Sequence, residues 1–395
     1  MKVLAIHRFY WPDTPPYASM LRTIVRQWVN DGHEVHVLSS QPSYKSGVKN
    51  EKQPRRQVVD RTQVIRLNLP TEAGKPLVRI FNALRLGAGI FWQALVKERY
   101  DVIMVSTSPP VLGGWFSAVI AKLTGARFIY HCMDIHPEIG RISGEFRNPR
   151  VFSLLSRMDK WTCAQAQPVV VLSDDMAESL AGRAPENPPE TAVINNFSLP
   201  SESLRQAALP FSWPSEPFIL LFAGNIGRFQ GLDTLVDAIA LLRDRADIRL
   251  VMMGDGSEKN RLSDKANHVG ARVTFWGHQP VEVAKAAMAK ADLGFVSLVS
   301  ELYRYAYPSK TMTYLEQGCP VLVAAEVDSC LARDITESGA GLAVKNGDVK
   351  ELANAISSLA NQPERTDAMK KCAKGFSESA FSTDVVLAEW SSLLK

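Results

Sequence analysis

Short apolar runs of strand length alternate with helical stretches along most of this chain, and this alternation limits the fold classes open to it. In the first half, the strand-length runs lie at residues 3–6, 34–38, 63–67, 102–106, 127–130 and 168–172. Helical stretches lie near residues 20–30, 77–97, 111–123 and 150–166. Strands that alternate with helices form parallel sheets covered by helices, so the sequence predicts an α/β fold.

A second series of the same kind follows a segment rich in Ser and Pro, FSLPSESLRQAALPFSWPSEP, which is the predicted linker. Its strand-length runs lie at residues 218–223, 249–253, 273–276, 293–297 and 321–324, and residues 381–395 are predicted to form a last helix. A chain of 395 residues is too long for one ordinary core. The sequence therefore predicts two similar α/β domains, at residues 1–198 and 199–376.

The chain's start and its cysteines favour a reducing, cytoplasmic location. The first apolar run stops at His7 and Arg8, which makes it too short for the apolar region of a signal peptide. The five cysteines are scattered and include no CxxC pair. This usage argues against a disulfide framework and against a zinc site of cysteines.

Basic residues are concentrated in the first half of the chain. Residues 1–200 contain 24 Lys or Arg against 17 Asp or Glu, and residues 45–99 contain 12 against 4. Such a stretch attracts phosphate on nucleic acid, on anionic lipid or on a lipid-linked substrate, or else it is ordinary solvated surface. Within it, residues 77–97 are apolar but include Arg79 and Arg85, so this helix is not expected to span a membrane. It either packs in the core or rests its outer face on a membrane surface, which would make the protein peripheral at the inner face of the plasma membrane.

Residues 303–323, YRYAYPSKTMTYLEQGCPVLV, have the features of a phosphate site. Pro308 suits a first helical turn, Ser309 can accept from the amides of that turn, and Lys310 adds positive charge where a helix start already favours an anion. The predicted helix, 311–317, ends at Gly318 and leads into an apolar strand. An ordinary helix-to-strand connection is the alternative.

Glycine-containing turns follow two strands of the second half. Gly224 and Gly227 come directly after one strand, Arg228 can reach a phosphate there, and a helix begins near Gly231. The spacing is not that of a three-glycine dinucleotide fingerprint, and no acidic ribose partner is evident, so a NAD site is poorly supported. The segment VMMGDGSEKNRL is a similar strand, turn and helix, for which a plain turn is the alternative.

A cluster of polar residues, YHCMDIHPE, follows a strand of the first half. It offers His131, Asp134, His136 and Glu138 at the end of that strand. The two histidines are five residues apart, which is not the usual helical spacing of zinc ligands. No metal site is predicted here.

Taken together and in order, these segments resemble a family-four retaining glycosyltransferase of the GT-B fold. The similar segments span almost the whole chain and include DGHEVHVL, DVIMVSTSPP, DIHPE, FAGNIGRFQGLDTL, MMGDGSE and PSKTMTYLEQGCPVL. The segment YRYAYPSKTMTYLEQGCP is similar to the fucosamine-transferase-like branch, whose members add sugars during bacterial surface polysaccharide synthesis. The resemblance implies two Rossmann-like parallel-sheet domains facing a central cleft, an acceptor-binding domain first and a nucleotide-sugar-binding domain second. It also implies that a helix at 377–395 crosses back to the first domain.

The resemblance implies a donor site in the second domain, with departures from the family pattern. The family's basic pair falls on Asn225 and Gln230, and its two glutamates fall on Tyr305 and Thr313, so all four charges are missing. Arg228 and Lys310 are the expected replacements for the basic pair. Glu316 is the expected ribose partner, since it lies one helical turn after Thr313. Trp276 and Gly277 match the place where the family holds the base. The donor-binding residues that we expect are Gly224, Asn225, Arg228, Trp276, Gly277, Tyr303, Arg304, Tyr307, Ser309, Lys310, Thr311 and Glu316.

In the first domain, the family's glycine pair after strand one is replaced by Pro16-Tyr17-Ala18-Ser19. Pro16, Tyr17 and Ser19 are the expected acceptor-binding residues. The DIHPE segment resembles the branch's Asp-Leu-Trp-Pro-Glu, so Asp134, with His131 and Glu138, is expected to face the sugar or the acceptor hydroxyl.

The predicted reaction moves a sugar, with an N-acetylated amino sugar as one candidate, from a UDP-sugar to a lipid-linked or saccharide acceptor. Negative charge grows on the leaving phosphates as the glycosidic bond breaks, and Lys310 and Arg228 would stabilise it. The sequence has no Asp-x-Asp pair, so no divalent metal and no cofactor beyond the nucleotide-sugar co-substrate are expected. Two other classes stay open: a nucleotide-sugar epimerase of the same architecture, and a nucleic-acid-binding protein. The second is disfavoured because the aromatic residues of the basic stretch do not alternate with its charges.

Overall fold

The chain folds into two compact units. The computed structural model describes residues 1–13, 15–42, 52–70, 76–146, 148–198 and 209–395. One unit comprises residues 1–195 and 386–395, and the other comprises residues 196–385. Residues 199–208 of the predicted linker, and residues 45–51 and 71–75 of the basic stretch, lie outside the described residues.

The first unit is built on an eight-stranded sheet of order β3-β4-β2-β1-β5-β6-β7-β8. Its described pairs are parallel except for β3 with β4, which are antiparallel. The strands are β1 (Lys2–Ile6), β2 (Glu34–Ser40), β3 (Arg56–Val59), β4 (Thr62–Leu67), β5 (Val102–Ser106), β6 (Arg127–His131), β7 (Val169–Val171) and β8 (Thr191–Val193). The helices are α1 (Pro16–Asn30), α2 (Pro76–Phe91) with a π-helical turn at Trp92–Lys97, α3 (Leu112–Thr124), α4 (Glu138–Ile142), α5 (Pro149–Gln165) and α6 (Asp174–Arg183).

The second unit is built on a six-stranded parallel sheet of order β11-β10-β9-β12-β13-β14. Its strands are β9 (Phe218–Ala223), β10 (Ile248–Met253), β11 (Val273–Trp276), β12 (Leu293–Ser297), β13 (Val321–Ala325) and β14 (Gly341–Lys345). Its helices are α7 (Leu232–Leu241), α8 (Lys259–Val269), α9 (Val281–Lys290), α10 (Lys310–Glu316), α11 (Cys330–Glu337), α12 (Val349–Ala360) and α13 (Pro363–Ala380). Helix α14 (Thr383–Ser392) follows, and its residues from Val386 onward belong to the first unit.

The central strands are apolar on both faces because helices cover both sides of each sheet. Every residue of β9, FILLFA, and every residue of β5, VIMVS, is buried. Strand order reverses between β1 and β5 in the first unit and between β9 and β12 in the second. Ligands of open α/β sheets bind at the carboxyl ends of the strands at such a reversal. The fold therefore points to the residues that directly follow β1, β5 and β9.

The structure differs from the sequence prediction in helix boundaries and in short strands. Helix α1 begins at Pro16, four residues before the predicted Met20, because the fixed φ of proline suits the first helical position. The last helix, predicted over residues 381–395, is α14 and spans Thr383–Ser392. Strands β3, β8 and β14 were not predicted, since β3 and β8 are short and β14 is only partly buried. No helix in the described part of the chain is long and apolar enough to cross a membrane.

Candidate functional site

Lys310 places a buried amine at the carboxyl end of β9. Its Nζ is buried without a hydrogen-bond partner among the described residues and lies 4.1 Å from the centre of the Phe222 ring. A Cβ added to Gly224 would stand 3.6 Å from Nζ, so the amine reaches the first residue after the strand. Burial lowers the pKa of Lys310 from 10.5 to about 7. The neighbouring Thr311 is also fully buried, and its Oγ1 has no partner in the described part of the chain.

Tyr314, which the sequence analysis did not single out, holds α10 against β9. Its hydroxyl accepts from the Ala223 amide at 2.7 Å and donates to the Leu221 carbonyl at 2.9 Å. Strand β12 pairs with β9 only as far as Leu221, so the tyrosine supplies partners where the ladder ends. Lys310 lies one helical turn before Tyr314, so this anchor fixes the position of the amine.

The helix start itself differs from the prediction. Ser309 is exposed, has a helical backbone conformation and makes no capping hydrogen bond with its side chain. Helix α10 has only seven residues, so its dipole is small. Lys310 and Thr311, rather than a capped helix end, therefore supply the polar groups here.

The loops after β9 and β10 approach each other closely. A Cβ on Gly254, whose φ is +144°, would lie 1.9 Å from the Gly224 carbonyl oxygen, so no larger residue fits there. Asn225 lies between the same loops, because a Cβ on Gly256 would lie 2.7 Å from its Oδ1. Glycines at these positions therefore allow the two loops to lie in direct backbone contact next to Lys310.

The other expected phosphate and base contacts lie at the rim of this region. Arg228 is 75% exposed, and its Nε lies 3.3 Å from Glu258. The ring of Trp276 stacks on Phe211 at 3.8 Å, so one of its faces is already covered. Gly277 lies beside Lys259, since an added Cβ would be 3.8 Å from that Nζ.

The expected sugar-reading residues are divided between surface and core. Arg304 pairs with Glu301 at 2.9 Å and lies over the ring of Tyr303, with its side chain about half exposed. Tyr307 is buried and donates to Asp334 at 3.2 Å. Their roles in reading the sugar stay predictions.

Glu316, the expected ribose partner, is engaged elsewhere. Its carboxylate lies 2.8 Å from Lys285 Nζ and accepts from Ser198 at 2.5 Å and from Gln317 at 3.0 Å. It lies at the opposite end of α10 from Lys310. Glu316 therefore ties α10 to α9, and its role in binding ribose stays a prediction.

In the first unit, a buried polar cluster lies at the carboxyl ends of β1, β5 and β6. The His7 ring is hydrogen-bonded to Ser106, and the Tyr17 hydroxyl lies 2.7 Å from His131 Nδ1. The His7 and Tyr17 rings are 4.4 Å apart, which joins the two pairs. Burial lowers the pKa of His7 and of His131 to about 3, so both imidazoles are neutral. The edge of the His131 ring meets Trp390 of α14 at 4.7 Å.

Asp134 lies in the loop that follows this cluster. Burial raises the pKa of its carboxyl group to about 6 and lowers that of nearby His136 to about 4. Glu138, by contrast, is ion-paired with Arg183, which also contacts Asp159 at 2.6 Å and donates to the His136 carbonyl at 2.9 Å. The Glu138 carboxylate therefore fixes the loop through Arg183, while burial raises the pKa of the Asp134 carboxyl group.

The expected acceptor-binding residues occupy the first turn of α1. Tyr17 is buried against His131, whereas Pro16 is exposed and Ser19 is half-buried.

Among the described residues, one group has the spacing of metal ligands, namely Glu34, His36 and Glu98. The Lys2 ammonium already contacts both of these carboxylates, at 2.9 and 2.5 Å, and the group lies at the amino ends of β1 and β2.

Two protein-family models match the chain, one for each unit. The Glycosyl transferase 4-like domain matches residues 17–196, and Glycosyl transferases group 1 matches residues 217–362. Among curated proteins, the probable glycosyltransferase WbjE of Pseudomonas aeruginosa is 25% identical over 72% of this chain and 71% of its own length. The putative colanic acid biosynthesis glycosyl transferase WcaI of Escherichia coli is 24% identical over 87% of this chain and 88% of its own.

Solved structures of similar fold cover the whole chain. Sucrose-phosphate synthase from Thermosynechococcus elongatus superposes with a TM-score of 0.76 at 18% identity, over 100% of this chain and 98% of its own. Anabaena HepE in complex with UDP-glucose superposes with a TM-score of 0.68 at 18% identity, over 100% of this chain and 99% of its own. The predicted fold class is confirmed. Since the two family models together match most of both units, the chain belongs to the glycosyltransferases of the GT-B fold.

Proposed function

We propose that this glycosyltransferase moves a sugar from a UDP-sugar to a lipid-linked or saccharide acceptor during bacterial cell-surface polysaccharide synthesis, with retention of the anomeric configuration. The named relatives support the pathway class, because WcaI is described as a colanic acid biosynthesis enzyme. The uridine nucleotide is supported by HepE, which has the same fold and was solved with UDP-glucose. Retention is what the sequence resemblance to family-four enzymes implies.

The observation that carries the proposal is the buried amine of Lys310 beside Gly224. A buried amine without a partner costs free energy, and a bound diphosphate would repay that cost by an ion pair in a site with little water. The same charge would stabilise the leaving phosphates as the glycosidic bond breaks. Thr311 Oγ1 offers a second donor next to it.

The first unit would place the acceptor. Asp134 has a pKa raised to about 6, so near neutral pH it holds or accepts a proton readily. We propose that it orients the acceptor hydroxyl, while an oxygen of the departing phosphate takes the hydroxyl proton. In this scheme the acceptor attacks from the face that the nucleotide leaves, and no nucleophilic carboxylate is required.

A donor screen followed by a transfer assay tests the proposal. UDP-sugars should raise the melting temperature of the protein, and radiolabelled sugar should pass to undecaprenyl-linked or saccharide acceptors. Lys310→Met should lose both effects, whereas Lys290→Met, an exposed lysine of the same unit, should lose neither. NMR of the product anomeric proton distinguishes retention from inversion. Normal transfer by Lys310→Met would contradict the proposed site.

Two further readouts define the reaction type. Because Lys310 rather than a carboxylate-held metal ion is proposed to stabilise the phosphates, transfer should continue in EDTA. Incubation with UDP-sugar alone should leave the sugar unchanged, and conversion to an isomer without any acceptor would identify an epimerase instead.

A further inference from the structure

Apolar side chains are exposed along the outer side of α2 and its π-helical turn. Ile80, Phe81, Leu84, Phe91, Trp92 and Val96 are each between 50% and 55% exposed. Phe81, Leu84 and Phe91 recur at helical spacing, so they form one stripe rather than isolated positions. The opposite side of the helix, which includes Ala83, Leu86 and Ile90, is buried.

Helices α2, α3 and α5 lie side by side and form one layer, here called the α2–α3–α5 layer. Gly87 of α2 meets Phe116 of α3 so closely that an added Cβ would lie 2.7 Å from the phenyl ring. Gly114 of α3 approaches Thr162 of α5, where an added Cβ would lie 3.1 Å from Cγ2. The outward side chains of the three helices therefore belong to one continuous surface.

Exposed apolar residues continue across this layer. Leu123 of α3 is 64% exposed, and Val151 and Leu154 of α5 are 44% and 59% exposed. The layer holds nine of the eighteen large hydrophobic side chains that are exposed in the described part of the chain. Such clustering on a small part of the surface marks an interaction site rather than ordinary surface composition.

The charge of the layer is almost entirely positive. Its helices and the π-helical turn carry seven exposed basic residues, namely Arg79, Arg85, Lys97, Lys122, Arg150, Arg157 and Lys160. Their single acidic residue, Asp159, is buried and paired with Arg183. Outside the three helices, Glu145 lies 3.3 Å from Arg79.

We propose that the outer face of the α2–α3–α5 layer docks on an anionic phospholipid surface. Exposed aromatic and aliphatic side chains flanked by Lys and Arg are the composition of an interfacial element, which buries its apolar side at the headgroup boundary. The Lys97 ammonium lies 5.9 Å from the Trp92 ring centre, so a cation and an indole are presented together. Charge complementarity selects an anionic bilayer as the occupant, because a second copy of this chain would bring the same positive face.

The docking does not depend on the proposed reaction. Vesicle binding needs no donor and no acceptor, so its failure and a failure of sugar transfer are separate results. Together, the two would place the first unit against the membrane that contains a lipid-linked acceptor.

Co-sedimentation of the full chain with vesicles tests the proposal. The protein should bind phosphatidylcholine vesicles that contain phosphatidylglycerol and should not bind vesicles of phosphatidylcholine alone, and added salt should weaken the binding. The charge variant Arg85→Glu/Arg150→Glu/Arg157→Glu should weaken it by roughly a hundredfold, at about fivefold for each cation removed. The apolar variant Phe81→Ser/Leu84→Ser/Trp92→Ser should weaken it on anionic vesicles as well.

Matched controls lie in the other unit. Lys290→Glu/Lys371→Glu/Lys374→Glu reverses three exposed charges, and Leu241→Ser/Val281→Ser/Val327→Ser removes three exposed apolar side chains. Both controls should bind anionic vesicles like the unchanged protein. Circular dichroism should show the same fold for all variants, because each changed side chain is exposed.

Two outcomes would overturn the proposal. Equal vesicle binding by the α2–α3–α5 variants and the controls would place any membrane contact elsewhere. The second outcome is a protein that does not bind vesicles but forms a concentration-dependent dimer in analytical ultracentrifugation. If Phe81→Ser/Leu84→Ser/Trp92→Ser abolished that dimer, the layer would be a contact between two copies.

Fluorescence quenching gives an independent check. Vesicles with brominated acyl chains should quench part of the tryptophan fluorescence, and Trp92→Phe should remove the quenched part while vesicle binding continues.

Discussion

Lys310 should take up a proton when a UDP-sugar binds to the second unit. In the free protein, burial beside Phe222 holds its pKa at about 7, so near neutral pH the amine is only partly charged. A diphosphate next to Nζ favours the charged form and raises this pKa. Binding and protonation are therefore linked, and each strengthens the other.

The size of the effect follows from the two pKa values. At pH 8 the free amine is roughly 10% protonated, and a bound-state pKa restored to its ordinary 10.5 gives an uptake of about 0.9 proton. Because binding raises the pKa of Lys310, the protein takes up a proton on binding and does not release one. Affinity is greatest below about pH 7 and falls as the pH rises toward the bound-state pKa. The fall approaches tenfold for each pH unit, or about 1.4 kcal/mol.

Isothermal titration calorimetry measures this uptake directly. UDP-glucose is titrated at pH 8 in two buffers of different ionisation enthalpy, and the difference in observed heat gives the number of protons taken up. Both phosphates of UDP-glucose are esterified on each side, so the ligand itself does not titrate in this range. Lys310→Arg should bind without proton uptake, because the guanidinium is charged throughout.

A result of zero uptake with normal binding would refute this reasoning. So would an uptake that persists in Lys310→Met, because the proton would then go to another group. The free Lys310→Met protein should also melt at a higher temperature than the unchanged protein, since a desolvated amine is replaced by an apolar chain of similar length. A lower melting temperature would show that the amine has a stabilising partner.

Three further predictions concern the residues that support the two candidate sites. Tyr314→Phe removes the hydroxyl that bonds a buried amide and a buried carbonyl of β9, so chemical denaturation should show a free energy of unfolding lower by about 1–3 kcal/mol. UDP-sugar affinity should fall as well. Unchanged affinity would show that Tyr314 does not support the donor site. Arg183→Met leaves the Asp159 carboxylate buried without its cation and should lower the free energy of unfolding by about 3–5 kcal/mol. The double variant Arg183→Met/Asp159→Asn should recover part of this stability. A double variant that is no more stable than Arg183→Met would contradict the importance of the ion pair. Asp134→Asn should lower the rate of transfer while calorimetry shows unchanged UDP-sugar affinity, and a parallel loss of both would move Asp134 into the donor site.

The sequence predicts the sheets well because their signal is local. Strands such as β5 and β9 are unbroken apolar runs between helices, and burial on both faces leaves no other arrangement for them. Shorter or half-exposed strands give no such signal. Strand β3 alternates between exposed and half-buried residues, and its antiparallel pairing with β4 depends on a neighbour rather than on its own composition.

The candidate site could be predicted only in part, because its geometry depends on contacts between distant segments. Lys310 stands out in the sequence as a cation at a helix start, but its burial beside Phe222 depends on how α10 packs on the sheet. Tyr314 carries no signal, since a tyrosine inside an apolar helix is equally consistent with plain core packing. For Glu316 the sequence gives its place on the same helix face as Thr313, but not its ion pair with Lys285 of α9, and its role in binding ribose stays a prediction.

The departures from the family pattern have one electrostatic consequence. Where the resemblance predicts a basic pair, this chain has the neutral Asn225 and Gln230, and Arg228 is exposed and close to Glu258. At the proposed donor site, positive charge would then depend mainly on Lys310, whose own charge is reduced by burial until an anion binds. A site of this kind discriminates against neutral ligands, because only an anionic ligand offsets the cost of charging the buried amine. The proton uptake proposed for Lys310 thus follows from having a single buried amine where the resemblance predicts a basic pair.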